Sequence, residues 1–466
     1  MNRPFPMLVS VLCWMACAAV STAVGAEQTP PATPPWSGFL TGISSNPVNP
    51  EQLPLTWTPE TVTWKASLQG DGQSSPVIWE NSAYVTSVDG PNKETYYVSR
   101  IDLADGSIRW SKAIPSTDPV ESTYLVSRAA PTPVCDATNV YVFFESGDLI
   151  ALTHDGKEVW KRSLSVDYGR FDNKFGLAAS PVQDESSLYI LIDHAGPSYI
   201  LAINKNDGST RWRTPRESRR SWSSPFLAHI DGQPQIVCSS VGSVDGYDPA
   251  SGQQLWSYED VGGNSSATPI VFNGNQVLLG ASARSSEGTS EKGERTNLLG
   301  RIVRDNDGWK FNVQWVADKA RGSFSSPVCS QQRAYWINSS GVIFCLDLAS
   351  GRELFSRRLS CGACWATPIP VGDRIYVFGK DGITTVLQAA DEYIELAAVN
   401  RLWPSPEEAE KKPDAPSIQG EQDPNRRRAM QNAAGPIQYG AVVIPQGVVI
   451  RSGNALYCVK SVSAPQ

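Results

Sequence analysis

A short proline-led phrase recurs along the chain: SSPV at Pro76, PTPV at Pro133, ASPV at Pro181, SSPF at Pro225, ATPI at Pro269, SSPV at Pro327 and ATPI at Pro368. About ten residues after each proline comes a β-branched or aromatic run such as AYVTS, VYVFF, LYILI or IYVFG. A third run of the same kind follows, DLIAL or VIFCL for example, and ends in Asp-Gly or Ser-Gly at Gly106, Gly156, Gly208, Gly252 and Gly351. Four residues past that glycine stands Trp110, Trp160, Trp212 or Trp256, with Phe355 in the last case. Runs of this length and composition are strands, and the glycines suit tight turns in which φ is positive. Each unit is therefore read as a four-stranded antiparallel meander whose recurrent aromatic is a plate offered to the next unit. A four-stranded repeat of this length predicts an all-β fold, a β-propeller.

The spacing also predicts how the ring closes. From Trp212, Trp256, Trp315 and Phe355 to the next unit's proline is 13, 13, 12 and 13 residues, and from Trp64 to Pro76 it is 12. Trp64 thus holds the plate position of a unit whose other strands are missing upstream. They are found at the far end, where Tyr439 to Lys460 supplies three strands and no final one. The stretch Glu60 to Lys65 completes this last blade. Seven proline-led units and the split one give an eight-bladed propeller, closed by the N-terminal strand so that no sheet edge is left open.

Around this frame the chain divides as follows. Residues 1–26, with Arg3, an apolar Met7–Val20 and small residues before Glu27, read as a secretory signal peptide. Residues 27–56 form a Pro-rich extension expected to lie along the propeller. Residues 57–466 are the propeller, with polar insertions at 282–297 and 404–436. The second insertion contains DPNRRRAMQNAAG, which suits a short helix capped by Asp423, within a segment expected to be solvated. No membrane span is expected after signal removal, because no other segment approaches the roughly 18 apolar residues required. A net charge of −7 argues against nucleic acid as a partner. The chain is expected to be exported, periplasmic or secreted.

Seven cysteines remain once Cys13 and Cys17 are set aside with the signal. Cys135, Cys238, Cys329, Cys345 and Cys458 sit inside apolar runs and read as core residues. Cys361 and Cys364, in SCGACW, are a candidate local disulfide, with two free thiols as the alternative. His154, His194 and His229 fall in separate units, so no metal site and no catalytic triad is expected.

The sequences LIALTHDGKEVW (Leu149 to Trp160) and YILAINKNDGSTRW (Tyr199 to Trp212) resemble the PQQ-like (pyrroloquinoline-quinone repeat) β-propeller repeat, and the resemblance covers residues 57–460. WSGFLTG at Trp36, LPLTW at Leu53 and Thr384 to Leu402 look like segments of exported bacterial members. This family hosts several functions. Its quinoprotein dehydrogenases use PQQ beside calcium, which implies an adjacent Cys-Cys disulfide, a carboxylate and an amide on the metal, and an Asp base. This chain has no adjacent cysteines, and the segments entering its inner strands are poor in acids, whereas calcium wants six to eight oxygen ligands. No cofactor is therefore expected, and PQQ and calcium enter only under the dehydrogenase alternative. Resemblance to the outer-membrane assembly lipoproteins implies instead a non-catalytic scaffold or binding module with an envelope protein as partner. A third reading is a small-molecule or glycan binder at the central channel. Its candidate residues lie just before the repeat prolines: Arg128, Lys174, Arg220, Trp222, Phe324 and Trp365. Without nearby carboxylates, the two arginines would make a positive mouth that attracts anions; paired with acids or carbonyls, the same residues would be a plug.

Overall fold

The computed structural model describes Met1 and residues 36–44, 47–121, 126–282, 284–285, 288–289, 291–404, 420, 422–424, 427, 430–431 and 436–461. The signal segment lies outside these residues, as does most of the 404–436 insertion. Eight four-stranded antiparallel sheets form the propeller. Blades 1 to 7 span 77–115, 134–163, 182–216, 226–261, 270–316, 328–358 and 369–401. Blade 8 combines Gln438–Ile444, Gly447–Ser452 and Ala455–Lys460 with Trp64–Ser67 as its outer strand, in the register Trp64 to Cys458 and Ser67 to Ala455. The ring closes as the spacing predicts.

Burial follows from position within a blade. Second strands are covered on both faces by neighbouring blades, so Ser187–Ile192 is buried at every residue. Outer strands meet solvent on one side and alternate, as in Thr210–Arg216.

The plates dock where the repeat is regular. The indole N–H of Trp110, Trp160, Trp212 and Trp315 donates to the backbone oxygen of His154, Lys205, Pro249 and Leu348, each in the next blade, at 2.8–2.9 Å. Trp64 does the same to Leu103 at 3.1 Å. The ring lies flat on the turn glycine: a Cβ on Gly208 would come within 2.7 Å of Trp160. With φ at +74° as well, only glycine serves there.

Two seams depart from this. Trp256 stacks on Phe311 of blade 5 at 5.7 Å and gives its N–H to Gln235 of its own blade. Phe355 meets Tyr393 of blade 7 edge-on at 5.6 Å. Blade 7 has no plate at all, since Ala397 pairs with Val386 where the aromatic stands elsewhere.

The residue before each repeat proline has a role that the proline pattern does not announce. The backbone N–H of Ser75 donates to Thr132 Oγ1, Thr132 to Ser180 Oγ, and Ser180 to Ser224 Oγ. The series continues from Ser224 to Thr268, from Thr268 to Ser326 and from Ser326 to Thr367. These bonds run from blade to blade around the axis at 2.9–3.0 Å. Blade 8 has no hydroxyl in this place; Gly440 there lets Ser75 approach so closely that a Cβ would fall 2.2 Å from its Oγ.

Connections from outer strands to the next inner strand, and those between second and third strands, emerge on one face, here called upper. The Asp-Gly turns lie on the lower face. Residues 36–44 and 47–61 cover the lower face. Trp36 and Ser37 accept hydrogen bonds from Ile78 of blade 1 and Cys135 of blade 2 at 2.8 Å, while Ser44 reaches Val271 of blade 5 at 3.4 Å. A segment touching blades 1, 2 and 5 must cross the axis, and Trp36, Leu40 and Ile43 are buried there. Residues 36–44 therefore cap the lower end of the channel. The chain then runs along blade 7, where Tyr376 OH donates to Pro54 O at 3.2 Å and the Asn400 side chain bridges Trp57 N and Leu55 O.

The blade 5 insertion is more ordered than its polar composition suggests, with a hairpin of Arg284–Ser285 and Gly288–Thr289 and a helix Glu291–Arg295. In the second insertion Pro424, Arg427, Met430 and Gln431 are helical, and Met430 is buried, which corrects the expectation of a wholly solvated segment.

Candidate functional site at the channel mouth

Because every candidate residue lies in an outer-to-inner connection, all of them stand on the upper face, around the open mouth. The structure groups them into two arcs. One runs from Phe324 through Trp365, ring centroids 5.6 Å apart, to Tyr439 at 6.3 Å. Tyr439 OH accepts from Arg128 Nη2 at 2.9 Å, and Arg128 Nη1 pairs with Asp71 at 2.8 Å. The other arc holds Lys174, with Nζ 5.6 Å above Phe175, and Trp222, whose ring is 5.9 Å from Phe175 and whose N–H donates to Gly176 O at 2.8 Å.

One expectation is corrected. Arg128 has a carboxylate neighbour and is only 5% exposed, so it closes part of the mouth instead of charging it. Arg220 is exposed, and the adjacent Arg219 turns inward to Ser243 and Asp245. Asp71, Gln73 and Tyr439 were missed by the sequence reading. The signal for the first two was the polar Asp71-Gly-Gln73 just before SSPV; Tyr439 follows a proline-led turn too irregular to align.

The charge near the mouth is held inside the blade seams. Lys93 and Glu145, each 1% exposed at the side chain, pair at 3.3 Å. Lys93 also donates to Ser127 O at 2.7 Å, and Glu145 accepts from the backbone of Ala129. Burial pushes the Glu145 carboxyl above its usual range, against the pull of Lys93. Between blades 3 and 4, Arg216 pairs at 3.0 Å with both Asp193 and Asp245. Arg451 of blade 8 is fully buried, donating to Thr86 O at 3.1 Å and Gly453 O at 2.7 Å, and burial lowers its guanidinium to about 10.

His154 is held between Tyr84 OH and Asp136 O, at 2.8 Å each, and His194 between the Asp172 N–H and Pro197 O, at 3.0 Å each. Among the described residues no group of three or more His, Cys, Asp or Glu is placed to hold a metal. Asp71 and Glu145, on the upper side, are each paired with a cation, Asp71 with Arg128 and Glu145 with Lys93. Cys361 and Cys364 stand side by side with their sulfurs 3.7 Å apart. A separate cleft of about 590 Å³ between residues 53–61 and blade 7 has Lys460 as its one charged wall, and Lys460 Nζ is bound to Leu103 O at 3.0 Å.

The family model described as outer membrane protein assembly factor BamB matches residues 57–193 and 170–288. The outer membrane protein assembly factor BamB of Moranella endobia (strain PCIT) is 24% identical over 228 residues, 49% of this chain and 52% of that protein. The chain thus matches about half the length of this curated relative. Among solved structures, BamB from Moraxella catarrhalis has a TM-score of 0.56 at 13% identity, covering 87% of this chain and 99% of that one. The quinohemoprotein alcohol dehydrogenase ADHIIG from Pseudomonas putida HK5 reaches 0.50 at 10% identity, covering 87% and 78%. At such identities the likeness is one of fold. Eight blades on one repeat grammar, with the matching family model, give the conclusion that the chain belongs to the PQQ-like β-propeller family.

Proposed function

We propose that this protein is an exported, non-catalytic propeller that binds an envelope protein through its upper face. The observation that carries this is the distribution of exposed apolar side chains. Val120, Val166, Phe175, Val241, Val316 and Phe324 are 39–76% exposed, and each lies in an upper connection or at the upper end of a strand. Of the other exposed apolar side chains within described elements and turns, Ile108, Val159 and Val399 stand on outer strands and Ile394 on a lower turn. Clustered apolar surface of this kind marks interaction sites. Lower turns instead present exposed acids such as Asp105, Asp155 and Asp207. Similarity to BamB supports an envelope partner, and no helix among the described residues is long and apolar enough to cross a membrane, which says nothing of a β-barrel. No cofactor belongs to this reading. The test is photo-crosslinking in cells, with the probe at Phe324 or at Val159. Adducts specific to Phe324 are expected; equal labelling at both positions overturns the assignment of the face.

A second reading rests on the capped channel. With its lower end covered by residues 36–44, a small ligand would enter from the upper mouth, where Lys174, Phe175 and Trp222 are side chains suited to stacking on a sugar acid. A thermal-shift screen of anionic sugars, on wild type and Trp222→Ala, tests it. Stabilisation of wild type alone supports it, and no response in either rejects it.

A further inference from the structure

We propose that Cys361 and Cys364 are an oxidation site: they form an intraloop disulfide that locks the connection from blade 6 to blade 7 beneath the aromatic arc. The geometry carries the inference. The sulfurs are 3.7 Å apart, in van der Waals contact, while a disulfide is about 2.05 Å long, so side-chain adjustment of under roughly 2 Å completes the bond. The loop is already folded around the pair. Gly362, with φ at +73°, makes its turn, and its N–H donates to Leu359 O at 3.2 Å. Cys364 bridges Gly379 in the second-to-third connection of blade 7, and Lys380 N donates to Ala363 O at 2.6 Å. Gly379 is tied to this contact, because a Cβ there would fall 2.2 Å from Cys361 O.

The other cysteines do not compete. Cys135, Cys238 and Cys458 lie in three different blades, and Cys329 and Cys345 of blade 6 are separated by the strand Arg333–Ile337. Burial pushes all five thiols up, away from the reactive thiolate. In the pair, by contrast, the hydrogen bond the two sulfurs share lowers Cys361 and raises Cys364, so Cys361 is the one written here as the attacking sulfur.

The chemistry is thiol–disulfide exchange with a disulfide-bearing oxidant. Cys361 thiolate attacks one sulfur of the oxidant and expels the other as a thiolate, giving a mixed disulfide. Cys364, losing its proton, displaces the second oxidant sulfur and forms the internal bond. The protein gives up two protons and two electrons, and the oxidant leaves as a dithiol or as two thiols. Both sulfurs are nearly covered, at 3% and 1% exposure, so exchange needs the 359–365 loop to lift or precedes its closure. The consequence lies next door: Trp365, which joins Phe324 to Tyr439, follows Cys364 directly, so the bond fixes the position of the arc.

Oxidation in the cell rests on the export reading; the capacity to form the bond does not, and the experiment separates them. Purified protein is equilibrated with oxidised glutathione, denatured, alkylated without reductant and mapped by peptide mass spectrometry. Cys361 and Cys364 are expected to resist alkylation until reductant is added, while the other five of the seven react. Full alkylation of all seven overturns the proposal. The same mapping on protein recovered from cells under acid quench reports the compartment, where a reduced pair would count against export and leave the bond-forming pair standing. As a second readout, reductant should lower the melting temperature of wild type by a few degrees and leave Cys361→Ser/Cys364→Ser unmoved. An equal response of both proteins also overturns the lock.

Discussion

The seam between blades 2 and 3 and the seam between blades 7 and 8 solve the same packing problem in different ways. In the first, Trp160 lies on Gly208 and bonds Lys205 O, and every participant belongs to the repeat. In the second the repeat supplies only Ala397, and the gap is filled by residues from outside it. Trp57, 4% exposed, comes from the lower-face strap and hangs on Asn400, and Trp403 stacks over Gly382 and lies 5.8 Å from Tyr457. A seam therefore needs a flat apolar plate of about indole size, and the chain delivers it from whichever segment reaches. The strap thus has a second duty besides capping the channel: it secures the seam beside the closure strand.

Breaking closure should have the largest effect. Deleting residues 61–66 removes most of the outer strand of blade 8 and exposes the paired edge at Ala455–Lys460. An open, aggregating chain without a cooperative unfolding transition is expected from size-exclusion chromatography and calorimetry. A monomeric deletion variant of unchanged melting temperature would show that the strap alone holds the ring.

Next comes the buried ion pair at the upper end of the seam between blades 1 and 2. Lys93→Met leaves Glu145 charged and alone at 1% exposure, a loss of about 3–5 kcal/mol. The pH dependence has a definite sign. Glu145 is raised in the folded state, so the fold holds that proton more tightly than the unfolded chain does, and stability falls as pH rises from the usual carboxylate range through the folded value. The variant should therefore recover part of its loss as pH is lowered from neutral toward the carboxylate range, because the isolated carboxyl, already raised by burial, takes up a proton. Urea midpoints across that range measure it. A deficit that does not change with pH would mean that Lys93 acts through packing only.

The comparison of seams is sharpened by two tryptophans. Trp212→Ala, in a regular seam, should cost about 3 kcal/mol, the lower end for a large aromatic because one edge meets solvent. If the strap replaces the missing plate, Trp57→Ala should cost a similar amount, although Trp57 belongs to no repeat. A near-silent Trp57→Ala with a costly Trp212→Ala would show that the seam between blades 7 and 8 stands without a plate.

The parts of the fold that were readable from sequence are those set by one residue type at a fixed spacing. The turn glycines and Trp110, Trp160 and Trp212 obey a local rule, so they align by eye. Even the split blade was legible, because the distance from Trp64 to Pro76 is a repeat distance. The mouth was legible only as a set of addresses. The upstream offsets place Arg128, Trp222 and Trp365 on one face, and Asp71, which neutralises Arg128, sits five residues before Pro76 as Arg128 sits before Pro133, but an offset alone does not say that the two side chains meet across neighbouring connections. The pairings Lys93–Glu145 and Arg216–Asp245 join different blades, and nothing local marks them. The strap was unreadable for the same reason: Trp36 and Trp57 reach their partners through the ring and not through the chain.

The smallest predicted effect tests a feature the repeat displays openly, yet which proline obscured. Ser, Thr or Ala-Ser before each proline looks like turn chemistry, and the proline itself invites that reading. In the structure the hydroxyl faces sideways, and Thr268 Oγ1 accepts the Ser224 N–H while the Thr268 N–H goes on to Ser326 Oγ. Thr268→Val keeps the shape and removes the acceptor, leaving a buried amide without its partner at a cost of about 1–3 kcal/mol. Thr268→Ser restores the acceptor and should recover most of it. The seam between blades 6 and 7 differs in this respect from the seam between blades 4 and 5. Thr367 accepts from Ser326 in the same way at 3.0 Å, but it is only partly buried and stands last in the series before blade 8. Water can reach the amide that Thr367→Val would strand, so this substitution should cost less than Thr268→Val. Chemical denaturation of the three variants beside wild type decides the point. Equal, negligible losses would make the hydroxyl series a by-product of turn formation; a larger loss at Thr268, rescued by serine, makes it a ring of bonds that ties each inner strand to the next.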